Sequence, residues 1–258
     1  MTVSGRRPVS QSLSSADRDE RTLELLGSTG KVEIGGLAEL FAVSEMTVRR
    51  DLDRLAGAGR LRRVRGGAVA VGPEPFAERY ARQSIEKDLI ADKLADLVGD
   101  GGAIAMDAST TIQRLAPRIA DVGHLTVLTN GPDTFFALQG VPGVTAVLTG
   151  GQLDKRTGSL VGPVAARSTT TLTLRRAFVS ATAISPELGT TEQTLEDAEA
   201  KASLVDAAAS VVVAIDHTKL GRHATARCLD TDRIDLLVTD LDPADARLDD
   251  YRDRCDLL

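Results

Sequence analysis

The chain has 258 residues, 42% of them apolar and 26% charged, which is the composition of a protein with a packed core and not of a disordered or collagen-like one. It has no run of about 18 apolar residues and no basic segment ahead of a short apolar one, so no membrane span or export signal is read and a cytoplasmic protein is expected. The net charge of −6 is unevenly spread: residues 1–72 carry 12 Lys and Arg against 9 Asp and Glu, and the remainder 19 against 28. A basic module that meets a polyanion, joined to an acidic body that does not, fits that split.

Residues 1–16 are Ser-rich, show no periodic apolar pattern, and read as a disordered tail. From Asp17 the pattern becomes helical, with Leu23 and Leu26 in phase and Gly27 and Gly30 as stops. A second helix is expected to place Ile34, Leu37, Leu40 and Phe41 on one face. Ser44 is a good N-cap for a third helix, its hydroxyl within reach of the Thr47 amide. Val48, Leu52 and Leu55 recur at i, i+4 and i+7, and AGAG ends the run. RLRRVRGGAVAV then alternates basic and apolar residues around Gly-Gly, as a hairpin does. Helix, helix, helix, hairpin is the order of a winged helix-turn-helix, predicted over 17–71.

Residues 72–84 begin with Gly72, Pro73 and Pro75 and read as a linker. A longer helix follows, with Ile85, Leu89, Ile90, Leu94, Leu97 and Val98 apolar. Short apolar runs at 103–107, 125–130, 144–150, 177–182, 210–216 and 235–240 then alternate with helical segments, notably 111–120, 132–139 and 194–209. Buried strands alternating with helices predict an α/β open sheet, mostly parallel, over 85–258.

Seven arginines fall within residues 44–68, against Glu45, Asp51 and Asp53. With Val48, Leu52 and Leu55 facing the core, Arg50 and Arg54 lie on the opposite side and Arg49 on a flank. Thr47 and Arg50 occupy the first turns, where a recognition helix meets base edges. A bidentate arginine reads guanine, whereas one on a phosphate only positions. Arg60, Arg62, Arg63 and Arg65 would reach phosphates or a minor groove. The competing reading is a solvated face paired internally, for example Arg49 with Asp53.

Each strand of the second region ends in small polar residues: Asp107, Ser109, Thr110 and Thr111; Thr129 and Asn130; Thr149, Gly150 and Gly151. Such loops gather at the carboxyl edge of an open sheet, where amides and hydroxyls can hold an anion. Lys201 and Lys219 are candidates to neutralise a phosphate, and Lys219 is favoured because it directly follows a strand. Cys228 and Cys255 lie outside any CxxC spacing, and His124, His217 and His223 form no metal motif, so neither a metal nor a cofactor is expected.

SEMTVRRDLDRLAGAGRLRRVRGGA closely resembles the signature of the DeoR family of bacterial transcription regulators, V-S-x-x-T-[IV]-R-R-D-L-x-x-L ending in a G-G-A wing. The resemblance implies a third helix in the major groove of double-stranded operator DNA. With the charge pattern it gives the DNA-contacting candidates Ser44, Glu45, Thr47, Arg49, Arg50, Arg54, Arg62, Arg63, Arg65, Gly66 and Gly67. DASTT, TN, TGG, DAEAK and DHTKLG are similar, in order, to segments of that family's effector domain, a Rossmann-like relative of the ribose-5-phosphate isomerase fold. There they surround a phosphorylated sugar, which adds Thr182 to the candidate ligand set. Two departures stand out: Ser109 where the family has glycine, and SATA at 180–183 where it has G-A-D-G, so that Thr182 replaces an acid.

These readings predict a repressor of carbohydrate genes, homo-oligomeric as a dimer or tetramer to match paired half-sites, and controlled by a phosphorylated sugar. Two alternatives stay open. One is a sugar-phosphate isomerase carrying a DNA-binding module, for which Glu199 and Asp107 are the remaining acids. The other is a constitutive DNA-binding protein with a vestigial second domain.

Overall fold

A computed structural model describes residues 13–58, 60–70 and 76–258, which divide into two compact units, 1–74 and 75–258. Most of the expected tail lies outside the described residues, but its end does not. Helix α1 (Ser15–Thr29) begins two residues before Asp17 because Ser14 and Asp17 form a reciprocal capping box. Gly30, at φ 73°, closes the helix by donating to the Leu26 carbonyl.

The first unit continues through β1 (Lys31–Glu33), α2 (Ile34–Phe41), α3 (Glu45–Gly57), β2 (Leu61–Val64) and β3 (Gly67–Ala70). Its three strands form an antiparallel sheet in the order β1-β3-β2, so the hairpin gains a third strand the periodicity did not announce. β1 takes the residues before Ile34 and leaves α2 only eight residues long. Ile34, Leu37 and Phe41 are buried, but Leu40 sits about 90° off their mean direction at 100° per residue and is 56% exposed, against expectation. Leu26, Val32, Val48, Leu52, Leu55, Leu61 and Ala68 complete this core.

Two turn glycines explain the wing sequence. Gly66 adopts φ +81°, a left-handed conformation that side chains resist. Gly67 lies under β1, where an added Cβ would stand 2.0 Å from the Val32 carbonyl oxygen.

The second unit opens with α4 (Phe76–Ala81) and α5 (Ser84–Val98). Residues 72–75 of the expected linker lie outside the described residues. The rest of it is corrected: 76–81 are helical, and their terminal carbonyls are hydrogen-bonded by residues of the α/β body, as described below. Along α5, Ile90, Leu94 and Val98 are buried, while Ile85 and Leu89 face solvent.

There follow β4 (Gly102–Met106), α6 (Thr110–Gln113), β5 (Leu125–Thr129), α7 (Pro132–Leu138), β6 (Val144–Leu148), β7 (Gln152–Asp154), β8 (Ser159–Val161) and α8 (Pro163–Thr169). The chain ends through β9 (Arg176–Val179), β10 (Ala183–Ser185), β11 (Gly189–Glu192), α9 (Leu195–Asp206), β12 (Val211–Ala214), β13 (Ala226–Leu229), β14 (Leu236–Val238), α10 (Asp249–Arg252) and β15 (Asp256–Leu257).

Seven strands form a wholly parallel sheet, ordered β15-β14-β12-β9-β4-β5-β6. All six expected strands are in it. Alternate residues feed two cores: Val211 and Val213 join Leu204 and Val205 of α9 on one face, while Val212 and Ala214 join the face that holds Ile90 and Leu94 of α5. The strand order reverses between β4 and β9, which places a switch-point crevice at their carboxyl ends. The smaller sheet β10-β11-β13 and the hairpin β7-β8 are additions that the sequence reading did not contain.

Candidate nucleic-acid interface and anion site

The arginines of the first unit divide into two classes. Arg54, expected to face DNA, instead bonds Asp19 and Ser15 of α1 and Asp51 of its own helix. Arg18 reaches Asp51 as well, at 2.8 Å, so the two acids tie α1 to α3. Burial would raise the Asp51 carboxyl, but hydrogen bonds from Arg18 and Arg54 outweigh it and hold it below its ordinary value. Arg63 is likewise occupied, by Asp53 at 2.9 Å and by the Gly67 carbonyl at 2.8 Å. These two guanidiniums are engaged within the unit, where the sequence pattern had placed them among the DNA contacts.

Arg50, Arg60, Arg62 and Arg65 are exposed and make no ion pair with any described residue. Arg49 is exposed too, in a surface pair with Glu45 at 3.0 Å that a phosphate can displace. Ser44 caps α3 as expected, accepting from the Thr47 amide at 3.2 Å, with the two hydroxyls 3.0 Å apart. Glu45 thus serves as the Arg49 partner, and Gly66 and Gly67 serve the turn geometry.

In the second unit Asp107 is the organiser. Buried at the end of β4, its Oδ1 accepts from the Ser109 amide at 3.0 Å and its Oδ2 from the Ser180 amide at 3.0 Å, across the switch point. Ser109 has φ −75° and caps α6, so serine in place of glycine asks nothing unusual of this backbone.

Lys201 does not project as a free cation. Its ammonium donates to Glu192 and the Ser180 carbonyl and lies 3.4 Å from Asp107, an internal ion pair on each side. Burial opposes its charge, but Glu192 and Asp107 outweigh that and raise its pKa, so Lys201 is a fixed internal cation and not a direct phosphate ligand. Thr182 donates to Glu192 at 2.8 Å. Since Ala183 pairs with Thr191, residues 182 and 192 stand opposite each other, and the carboxylate missing at 182 arrives from the facing strand. The register that brings Glu192 there is not visible in the sequence.

Two other lysines are less fully compensated. Lys219 donates to the Ala181 carbonyl at 2.9 Å and lies 3.6 Å from Asp216, with a quarter of its side chain exposed. Burial lowers its pKa, and Asp216 and Glu192 oppose that only in part. Lys87, unnoticed in the apolar pattern of α5, is 3% exposed and donates to the Arg79 carbonyl. Burial pushes it down to about 8, helped by the charges of Lys219, Arg114 and Arg79 and resisted by Asp216.

In the second unit several buried polar atoms lack any hydrogen-bond partner, among them Thr111 Oγ1, Asn130 Oδ1, Thr149 Oγ1, Ser180 Oγ and Asp216 Oδ2. Each of these five lies just after β4, β5, β6, β9 or β12, five adjacent strands of the sheet, Thr111 in the first turn of α6 and the others in loops. Orphaned atoms of this kind are rare in a folded interior and call for a partner from outside the chain. Asn130 Nδ2 is committed to the Leu160 carbonyl at 3.2 Å, which fixes Oδ1 as an acceptor. Thr110 donates to the Arg79 carbonyl, Thr129 accepts from the Gly131 amide, and the Gly150 amide donates to Ser168. Gly151, at φ 125°, lets the turn pass close to the Val161 carbonyl and Ala165.

Two family models match the chain: the DeoR-like helix-turn-helix domain over 18–74 and the DeoR C terminal sensor domain over 82–241. The chain belongs to the DeoR family. Among its relatives, the HTH-type transcriptional regulator GolR of Listeria innocua is 32% identical over 87% of this chain and 90% of its own. The Glycerol-3-phosphate regulon repressor of Escherichia coli is 27% identical over 88% and 91%. This DeoR-family protein is therefore a DNA-binding transcriptional regulator, and these relatives carry the names of regulators, not of enzymes. A ribose 5-phosphate isomerase from Plasmodium falciparum aligns over 52% of each chain at 12% identity with a TM-score of 0.37, too distant to argue from.

Among the described residues no helix is long and apolar enough to cross a membrane, and no group of three His, Cys, Asp or Glu is placed to hold a metal ion.

Proposed function

We propose that this regulator represses carbohydrate-metabolism genes as a homo-oligomer on paired operator half-sites, and that a phosphorylated sugar bound at the carboxyl edge of the parallel sheet changes its grip on DNA. The observation that carries the reading is the orphaned polar atoms following five adjacent strands, together with two under-compensated lysines, Lys87 and Lys219. A phosphate suits the lysines, and sugar hydroxyls suit acceptors such as Asn130 Oδ1, which a bare anion would leave unsatisfied. A relative is named as the repressor of a glycerol-3-phosphate regulon, which fits control by a phosphorylated small metabolite.

Arg50 and the hairpin arginines Arg60, Arg62 and Arg65 carry the DNA contact in this reading, with Arg49 joining once Glu45 is displaced. The ligand acts only through its unequal affinity for the DNA-competent and DNA-released states. The test is operator affinity, on DNA selected from a random pool, measured with and without glycerol 3-phosphate, ribose 5-phosphate, fructose 6-phosphate and inorganic phosphate. One sugar phosphate is expected to shift the affinity at least about tenfold, a coupling of about 1.4 kcal/mol. If none shifts it while DNA binding itself is intact, the effector half of the reading fails.

A further inference from the structure

The C-terminal carbonyls of α4 occupy the donors that an anion would need. A helix end presents unpaired carbonyls with partial negative charge. At the end of α4 these are taken up by the α/β body: the Arg79 carbonyl receives the Lys87 ammonium and the Thr110 hydroxyl, and the Tyr80 carbonyl receives Arg114 at 2.8 Å. Arg114 also faces the Tyr80 ring, 4.2 Å from its centroid, and pairs with Asp88. The Arg79 side chain is fixed in turn to the Thr157 carbonyl in the turn between β7 and β8.

Lys87 and Thr110 thus belong to two arrangements at once. They line the proposed phosphate site, and they are part of the fastening of α4, the first described element of the second unit. A carbonyl is a weak partner for a buried ammonium, whereas a phosphate oxygen carries full charge and forms the stronger, charge-assisted bond. The neighbouring Thr111 hydroxyl, buried and without a partner, gives the incoming anion a further donor.

We infer that α4 is a latch: its Arg79 carbonyl holds Lys87 and Thr110 until a phosphorylated ligand takes them, and ligand binding thereby frees the C-terminal end of α4. This rests on the reading of the carboxyl edge as a phosphate site, and it adds how occupancy leaves that site. It names a competitor within the chain and predicts that one segment loosens as the rest tightens.

Amide hydrogen exchange on the full chain tests it in two arms. In the first, without added ligand, Lys87→Met and Thr110→Val are compared with the parent. Amides of residues 78–83 are expected to exchange about five- to tenfold faster in Lys87→Met, and less so in Thr110→Val, with protection of β4 and β9 retained. Unchanged exchange at 78–83 in both variants overturns the latch, whatever binds.

In the second arm the parent protein is exposed to the three sugar phosphates and inorganic phosphate. A compound that raises the Tm should protect residues 107–113 while speeding exchange at 78–83. Protection of both segments overturns the release mechanism. If no compound raises the Tm, it is the phosphate-site reading that falls, and release with it, whereas the variant arm still reports whether the fastening exists.

Discussion

Gly67 passes so close beneath Val32 that its missing side chain is what lets β1 join the hairpin. Gly67→Ala is therefore expected to cost the N-terminal unit about 3 kcal/mol, the upper range for forcing extra volume into a packed site. Gly66→Ala, with open space around it but φ +81°, should cost only about 1 to 2 kcal/mol. Urea denaturation followed by a probe in the first unit distinguishes the two. Equal effects would mean that backbone conformation, and not the Val32 carbonyl, selects the glycine pair.

The division of the arginines predicts separable phenotypes. Arg62→Ala should weaken binding to all DNA alike and reduce the log–log salt slope by about 1, the signature of one lost phosphate contact. Arg50→Ala should cost about 1 to 3 kcal/mol on the preferred sequence and relax its selectivity. Arg54→Ala should leave the salt slope unchanged and lower the melting temperature, because its partners are Asp19 and Asp51. A salt slope that falls in Arg54→Ala as it does in Arg62→Ala returns Arg54 to the DNA surface.

The contrast between Arg54 and Arg50 shows where sequence reasoning stops. Both lie on the polar side of a helix whose buried face, Val48, Leu52 and Leu55, was legible from spacing alone. What separates them is in part Asp51 at helical spacing but chiefly Asp19, 35 residues upstream, which no local period encodes. The parallel strands were legible because burial on both faces makes them continuously apolar. The short β10, β11 and β13 are not: they run for only three or four residues of mixed character, and their pairing is set by tertiary contacts. Lys87 was hidden for the opposite reason. It interrupts an apolar helix face at a place where lysine ordinarily reaches solvent, and only burial reveals it.

Glu192 predicts its own consequence. It holds Lys201 through one oxygen and Thr182 through the other, inside a nearly buried cluster. Glu192→Gln leaves Lys201 with Asp107 as its one remaining carboxylate and should destabilise the second unit by about 3 kcal/mol, as breaking a buried pair does. Thr182→Val removes a single hydrogen bond and should cost about 1 kcal/mol. Thermal denaturation of the two variants orders them, and a Glu192→Gln protein as stable as the parent would show that Asp107 alone suffices.

Lys87 makes a prediction of unusual sign. Burial and neighbouring cations lower its pKa to about 8 from 10.5, so between those values the unfolded chain holds a proton that the folded chain has released. Raising the pH through that window therefore stabilises the fold, and below about 8 the full penalty of the buried charge is present, up to about 3 kcal/mol. Lys87→Met removes the penalty together with a hydrogen bond worth about 1 kcal/mol. The variant should be about 2 kcal/mol more stable than the parent at pH 7, with the gap closing by pH 10. Urea midpoints at the two pH values supply the comparison, and titrating groups that do not interact with Lys87 cancel between the proteins. The same charge that weakens the fold is the one a phosphate would meet, so the stabilised variant should also lose its response to sugar phosphates. A Lys87→Met protein that is less stable at pH 7 would mean that the Arg79 contact outweighs the buried charge.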